Sequence, residues 1–149
     1  MKTAGLLGGM SYESTIQYYK LINKKINNRL GNLNSAKILL YSFNFEEIEA
    51  LQRNGEWDKS GDLMGVQAKH LQDANADFIA ICTNTMHKLI DNINKHINID
   101  ILHISDAVGT EIKKHNLKNV LLLGTKFTME EDFYKKILVE KYGINEFVG

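Results

Sequence analysis

The chain has 149 residues, 44% of them apolar, with 18 basic residues balanced by 18 acidic ones and a single cysteine. That length and apolar content suit one ordinary domain or two small lobes, and the balanced charge offers no basic excess for nucleic acid or an anionic membrane. Apolar runs too short to span a bilayer, no signal-peptide pattern after Met1 and no possible internal disulfide together predict a soluble cytoplasmic protein.

Lys2 to Leu7 form an apolar run ending in Gly8-Gly9-Met10-Ser11, which predicts a strand entering a tight turn. Glycines there let backbone N–H groups approach an anion, and a following helix adds its positive end. A plain strand-to-helix turn uses the same residues. Neither the dinucleotide fingerprint nor the phosphate-loop spacing is present, so a small carboxylate fits better than a pyrophosphate. A long helical pattern follows, with Ile16, Tyr19, Leu21, Ile22, Ile26 and Leu30 near helical spacing, Ser11 or Ser14 as cap and Gly31 as stop.

Ala36 to Phe43 reads as a buried second strand. Phe45 to Gln52 reads as a short helix and Asp58 to Ala76 as a longer one, with Leu63, Val66, Leu71 and Ala74 on one side. Phe78 to Ile81 is a third strand, Met86 to His96 a helix, Ile99 to Ile104 a fourth strand, and Ser105 to His115 a helix capped by Ser105 or Asp106. Strands alternating with helices over short connections imply an α/β fold, a parallel sheet flanked by helices. A shift of 116 positions lays Lys2 on Lys118, Leu6-Leu7-Gly8 on Leu122-Leu123-Gly124, Tyr18 on Tyr134 and Ile22 on Leu138. The recurrence of strand, glycine turn and helix suggests duplication. The final residues resemble the start of another strand, so the second repeat is expected to be incomplete.

Chemistry concentrates at Ile81-Cys82-Thr83-Asn84-Thr85-Met86-His87, where a strand hands small polar residues to the next helix. Ligands in α/β proteins meet the chain at such carboxyl ends. A thiol at a helix N-terminus is expected to have a lowered pKa, although a lone Cys at a strand end is also ordinary core. Cys82 and His87 are too few for a metal site. Neighbouring side chains in a strand face opposite ways, so only one of Cys82 and Thr83 can aim into a given cleft. Thr83-Asn84-Thr85 can equally be a helix cap. Gln52, Glu49 and His87 have solvated helix surface as their ordinary reading, and His103 ends the fourth strand.

Leu6 through Thr15, Gln52 through Lys59, Cys82 through Lys88 and Leu123-Gly124-Thr125 together resemble the aspartate/glutamate racemase family, closest to its enteric-bacterial branch. The resemblance runs along the whole chain. It implies two pseudo-symmetric α/β lobes, a first over residues 1–98 and the start of a second over 99–149, with the substrate between them. It implies racemisation without pyridoxal phosphate or any other cofactor, a small amino acid as substrate, neither nucleic acid nor membrane as partner, and a possible homodimer. One acid/base residue from each lobe would flank the α-carbon, one removing its proton and the other returning one on the opposite face. Most family members have Cys directly before the Asn-Thr pair. Here Thr83 holds that position and Cys82 lies one residue earlier, so the catalytic role carries to Thr83, with Cys82 as second choice. The family's substrate contacts map onto Gln52, Asn84, Thr85, Met10, Ser11 and Thr125. Its Gly-Cys-Thr-Glu-like segment with the second Cys would lie beyond Gly149, so this chain is expected to supply one half of a two-base site. Rival readings are a non-catalytic module that binds small carboxylates, an inactive truncated racemase, and a thiol-dependent hydrolase or decarboxylase using Cys82.

Overall fold

In the computed structural model, which describes residues 1–148, the first apolar run is strand β1 (Thr3–Gly8), buried along nearly its whole length. A parallel strand covered on both faces reads as a continuous apolar run, and β1 occupies the interior of a four-stranded sheet of order β2-β1-β3-β4. It pairs in parallel with β2 (Lys37–Ser42), from Thr3 opposite Lys37 to Gly8 opposite Ser42. On its other side lies β3 (Phe78–Ile81), also parallel. The strand β4 (Ile101–Leu102) is much shorter than Ile99 to Ile104. β2 was expected to be buried, but as an edge strand it leaves Leu40 and Tyr41 exposed.

Helices α1 (Tyr12–Leu30), α2 (Phe45–Arg53) and α3 (Trp57–Asp73) follow the expected order. Gly31 ends α1 with φ +71. The apolar residues of α1 are not all inward: Tyr18 and Ile22 pack against Ala4, Leu6 and Cys82, whereas Ile16 is 55% and Tyr19 54% exposed. In α3 the buried face is Ser60, Gly61, Met64, Gly65, Ala68 and Leu71, and Val66 and Ala74 lie outside it. The glycines there allow close approach: a Cβ on Gly61 would stand 2.5 Å from Asn92 Cβ.

The helix expected over Met86 to His96 is instead a 3-10 turn (Thr85–Leu89) followed by one turn of helix, α4 (Ile90–Ile93). Beyond β4 come α5 (Ile104–Lys114), β5 (Asn119–Leu122), α6 (Lys126–Glu130), α7 (Asp132–Lys136), a π turn (Ile137–Lys141) and β6 (Asn145–Val148). β5 and β6 pair in parallel. α5 is capped by the His103 side chain, which accepts from the Ser105 N–H, so neither Ser105 nor Asp106 is the cap.

The chain divides into two compact units, Met1–Thr83 with Leu89–Ile101, and Asn84–Lys88 with Leu102 onward. Their cores repeat a pattern. Tyr18 and Ile22 of α1 cover the first, and Tyr134 and Leu138, at the matching places of the 116-residue shift, are core residues of the second beside Ile144. Among the described residues no helix is long and apolar enough to cross a membrane.

Candidate functional site

The first unit contributes two polar edges at the carboxyl ends of β1 and β3. After β1, Gly9 turns with φ +85, where a Cβ would stand 2.3 Å from the Phe43 carbonyl oxygen. No side chain fits there, and only glycine adopts that backbone without strain. The Thr15 hydroxyl accepts from Gly9 N–H at 2.9 Å and donates to Ser11 O at 3.0 Å, stitching the turn to the first turn of α1. The Met10–Ser11 peptide is cis. Met10 is buried. Ser11 is half-exposed at the N-cap, and its hydroxyl holds the Glu13 carboxyl below the usual range.

After β3 the chain obeys strand parity. Cys82 joins Ala4 and Leu6 in a buried cluster, on the side where Phe78 and Ala80 also pack, and Thr83 is half-exposed. Burial pushes the Cys82 thiol up to about 12. This corrects the lowered pKa expected of a thiol at a helix N-terminus: the Met86–His96 helix does not form, and desolvation disfavours the thiolate. The Cys82 carbonyl accepts from Ser14 Oγ at 2.7 Å, joining the start of α1 to the end of β3. Ser14 does not cap α1; its hydroxyl instead donates to Ser11 O and Cys82 O. Gln52 is half-buried on α2, and Glu49 pairs with Arg53 on the same helix.

In the second unit, the Asn84 carbonyl accepts from His87 N–H at 3.1 Å and lies 3.1 Å from His87 Nδ1, which therefore carries the ring proton. His87 is 2% exposed, contrary to the surface position expected for it, and its ring lies 4.9 Å from that of His103. Burial lowers the His103 pKa, with Asp106 opposing the shift and Lys141 adding to it. The ring is thus kept neutral, as its accepting Nδ1 requires. Thr125 caps α6, its hydroxyl accepting from Thr128 N–H at 3.4 Å. Lys88 reaches Glu131 at 2.8 Å, a contact between residues far apart in sequence that no local spacing announces.

Met10, Ser11, Gln52, Cys82 and Thr83 therefore belong to the first unit, and Asn84, Thr85 and Thr125 to the second. An open hollow lined by Asp132, Lys135, Lys136, Val139 and Glu140 contains none of them. Among the described residues no group of three or more His, Cys, Asp or Glu side chains is placed to hold a metal.

Known proteins resemble this chain along nearly its whole length. The model of the Asp/Glu/Hydantoin racemase family matches residues 7–149. The broad specificity amino-acid racemase RacX of Bacillus subtilis is 27% identical over 137 residues, spanning 90% of this chain and 59% of that protein. A Yersinia pestis crystal structure assigned to the Asp/Glu racemases superposes with a TM-score of 0.94 at 47% identity, over 99% of this chain and 64% of that one. An aspartate racemase homologue from Pyrococcus horikoshii gives 0.87 at 36% identity, over all of this chain and 65% of that one. The chain thus spans less than two thirds of the length of each of these relatives.

Proposed function

The chain belongs to the Asp/Glu/Hydantoin racemase family, and from that membership we propose that it supplies one wall of a site for cofactor-independent racemisation of an amino acid of the aspartate or glutamate kind. The observation that carries the reading is the division between neighbours at the end of β3. The thiol of Cys82 is buried and held protonated, and Thr83 is half-exposed. Thr83 is then the acid/base group of this wall. Its hydroxyl is a poor acid and hard to ionise, so its role is to deliver a proton to the α-carbon while a stronger base works from the opposite face.

Gln52, Asn84, Thr85, Ser11 and Thr125 hold the substrate's carboxylates and amine in this reading. Side-chain amides and hydroxyls of these types donate to carboxylate oxygens without introducing a competing base. The chain has one cysteine, so a cysteine on the other wall would come from a further stretch of polypeptide. A reducing cytoplasm suits such a free thiol.

Incubation of the purified chain with L-aspartate or L-glutamate in deuterated water tests the proposal. Inverted product carrying deuterium at the α-carbon is expected once a polypeptide supplying the opposite base is added, retained in Thr83→Ser and lost in Thr83→Ala. Saturable binding without exchange even then would favour a carboxylate-binding module. Exchange that survives Thr83→Ala but vanishes in Cys82→Ser would overturn the assignment of Thr83.

A further inference from the structure

We infer that Lys88 and Glu131 are a positioning pair, which fixes the turn bearing Asn84 and Thr85 to the helices that follow Thr125. The inference rests on the amino-acid-site reading above for its functional consequence and on the second unit's own geometry for everything else. Lys88 closes the polar stretch that begins at Thr83. Its side chain is only 18% exposed, with Nζ 2.9 Å from one Glu131 oxygen and 2.8 Å from the other. The same ammonium lies 5.8 Å from the centre of the Phe127 ring. A cation held between a carboxylate and an aromatic face away from water is attracted more strongly than at an exposed site.

Glu131 sits where α6 ends and α7 begins, as the C-cap of one and the N-cap of the other. Thr125 is tied to that same short helix, since it caps α6 and its hydroxyl lies 3.2 Å from the buried Thr128 hydroxyl. A pull on Lys88 is therefore transmitted to the Thr125 end through one turn of helix. The neighbouring His87 is held separately, its ring beside that of His103, and it reaches back to the start of the turn through its hydrogen bonds to the Asn84 carbonyl. Two anchors thus define where the Asn84 and Thr85 groups point. Lys88 itself is neutralised by Glu131, so it acts through the turn and not as a ligand for a substrate carboxylate. The exposed pairs spaced three or four residues apart, such as Lys114 with Glu111, lack this reach and burial, and exposed pairs contribute little.

The test compares Lys88→Met, Lys88→Arg, Glu131→Gln and the control Lys114→Met. Two readouts are used: amide hydrogen exchange, and titration with L-aspartate followed at the Asn84, Thr85 and Thr125 amides. Lys88→Met and Glu131→Gln are expected to speed exchange across Met86–Leu89 and weaken L-aspartate binding, each by roughly tenfold or more. Amides of β1 should keep their protection. Arginine meets a carboxylate with two parallel hydrogen bonds, so Lys88→Arg should restore both readouts, and Lys114→Met should change neither. Unchanged exchange at Met86–Leu89 in Lys88→Met, or an arginine variant as impaired as the methionine one, would overturn the inference. Should the unaltered chain give no saturable shift with L-aspartate, the amino-acid-site reading fails by itself, and the exchange measurement still decides the role of the pair.

Discussion

A thiol whose pKa stands near 12 is almost wholly protonated at neutral pH, and Cys82 is fully buried as well. Iodoacetamide at pH 8 should therefore leave Cys82 unmodified in the folded chain and alkylate it readily in urea; equal labelling in both conditions would contradict the packing described. Glu146 offers a second test. Both its carboxylate oxygens are buried without a hydrogen-bond partner among the described residues, and burial raises its pKa against the pull of Lys135. A carboxyl raised on folding contributes stability that is complete below the unfolded value and is lost as pH rises through the folded one. Glu146→Leu should then stabilise the second unit at pH 7 by about 1–3 kcal/mol, with the gain shrinking towards pH 4, as followed by urea denaturation at the two pH values. Asp106 behaves in the opposite sense. Burial pushes it up, but hydrogen bonds from Lys141 Nζ at 2.7 Å and Tyr142 OH at 3.0 Å outweigh that and lower its pKa. Its contribution is present above the unfolded value and lost as pH falls through the folded one. The parity of Cys82 and Thr83 was legible in the sequence because it depends only on strand geometry. The Lys88–Glu131 contact was not, because nothing local links residues separated by two strands and three helices.

Elements with strong periodicity were readable to within a few residues, as α1, α2, β1 and β3 are. The failures have physical causes. Met86 to His96 looked helical by its apolar spacing, yet Asp91, Asn92 and Asn94 crowd the stretch, and such residues compete for backbone hydrogen bonds. The Asn84 carbonyl also takes two donors from His87, which favours a tight turn. In α3 the expected apolar stripe missed that glycines form the contact face, because a backbone approach leaves no mark in a hydrophobic pattern. Gly61→Ala measures that approach. Its added methyl gains about 1 kcal/mol of helix propensity but meets Asn92 Cβ at 2.5 Å. Overpacking of about 1–3 kcal/mol should win, lowering the urea midpoint without changing the slope.

Each unit leaves apolar surface bare. α1 exposes Ile16 and Tyr19, the edge strand β2 exposes Leu40 and Tyr41, and the β5–β6 sheet exposes Leu121 and Phe147 on one face. Surfaces of this kind associate. Sedimentation velocity on the 149-residue chain at tens of micromolar should show concentration-dependent self-association that Ile16→Lys with Tyr19→Lys reduces; a monomer at every concentration would show these faces to be tolerated in water. The division into units has a consequence in time as well. The chain passes between them at Thr83–Asn84, at Lys88–Leu89 and at Ile101–Leu102. During synthesis, Asn84–Lys88 leaves the ribosome with the first unit, while Glu131 is still 43 residues away. At about 5–20 residues per second, roughly 2–9 s pass before Lys88 has a partner to meet. The stretch with the most chemistry is made early and set in place late, so a nascent chain stalled before residue 131 should carry a folded β1–β3 sheet and an unanchored Asn84–Lys88 turn.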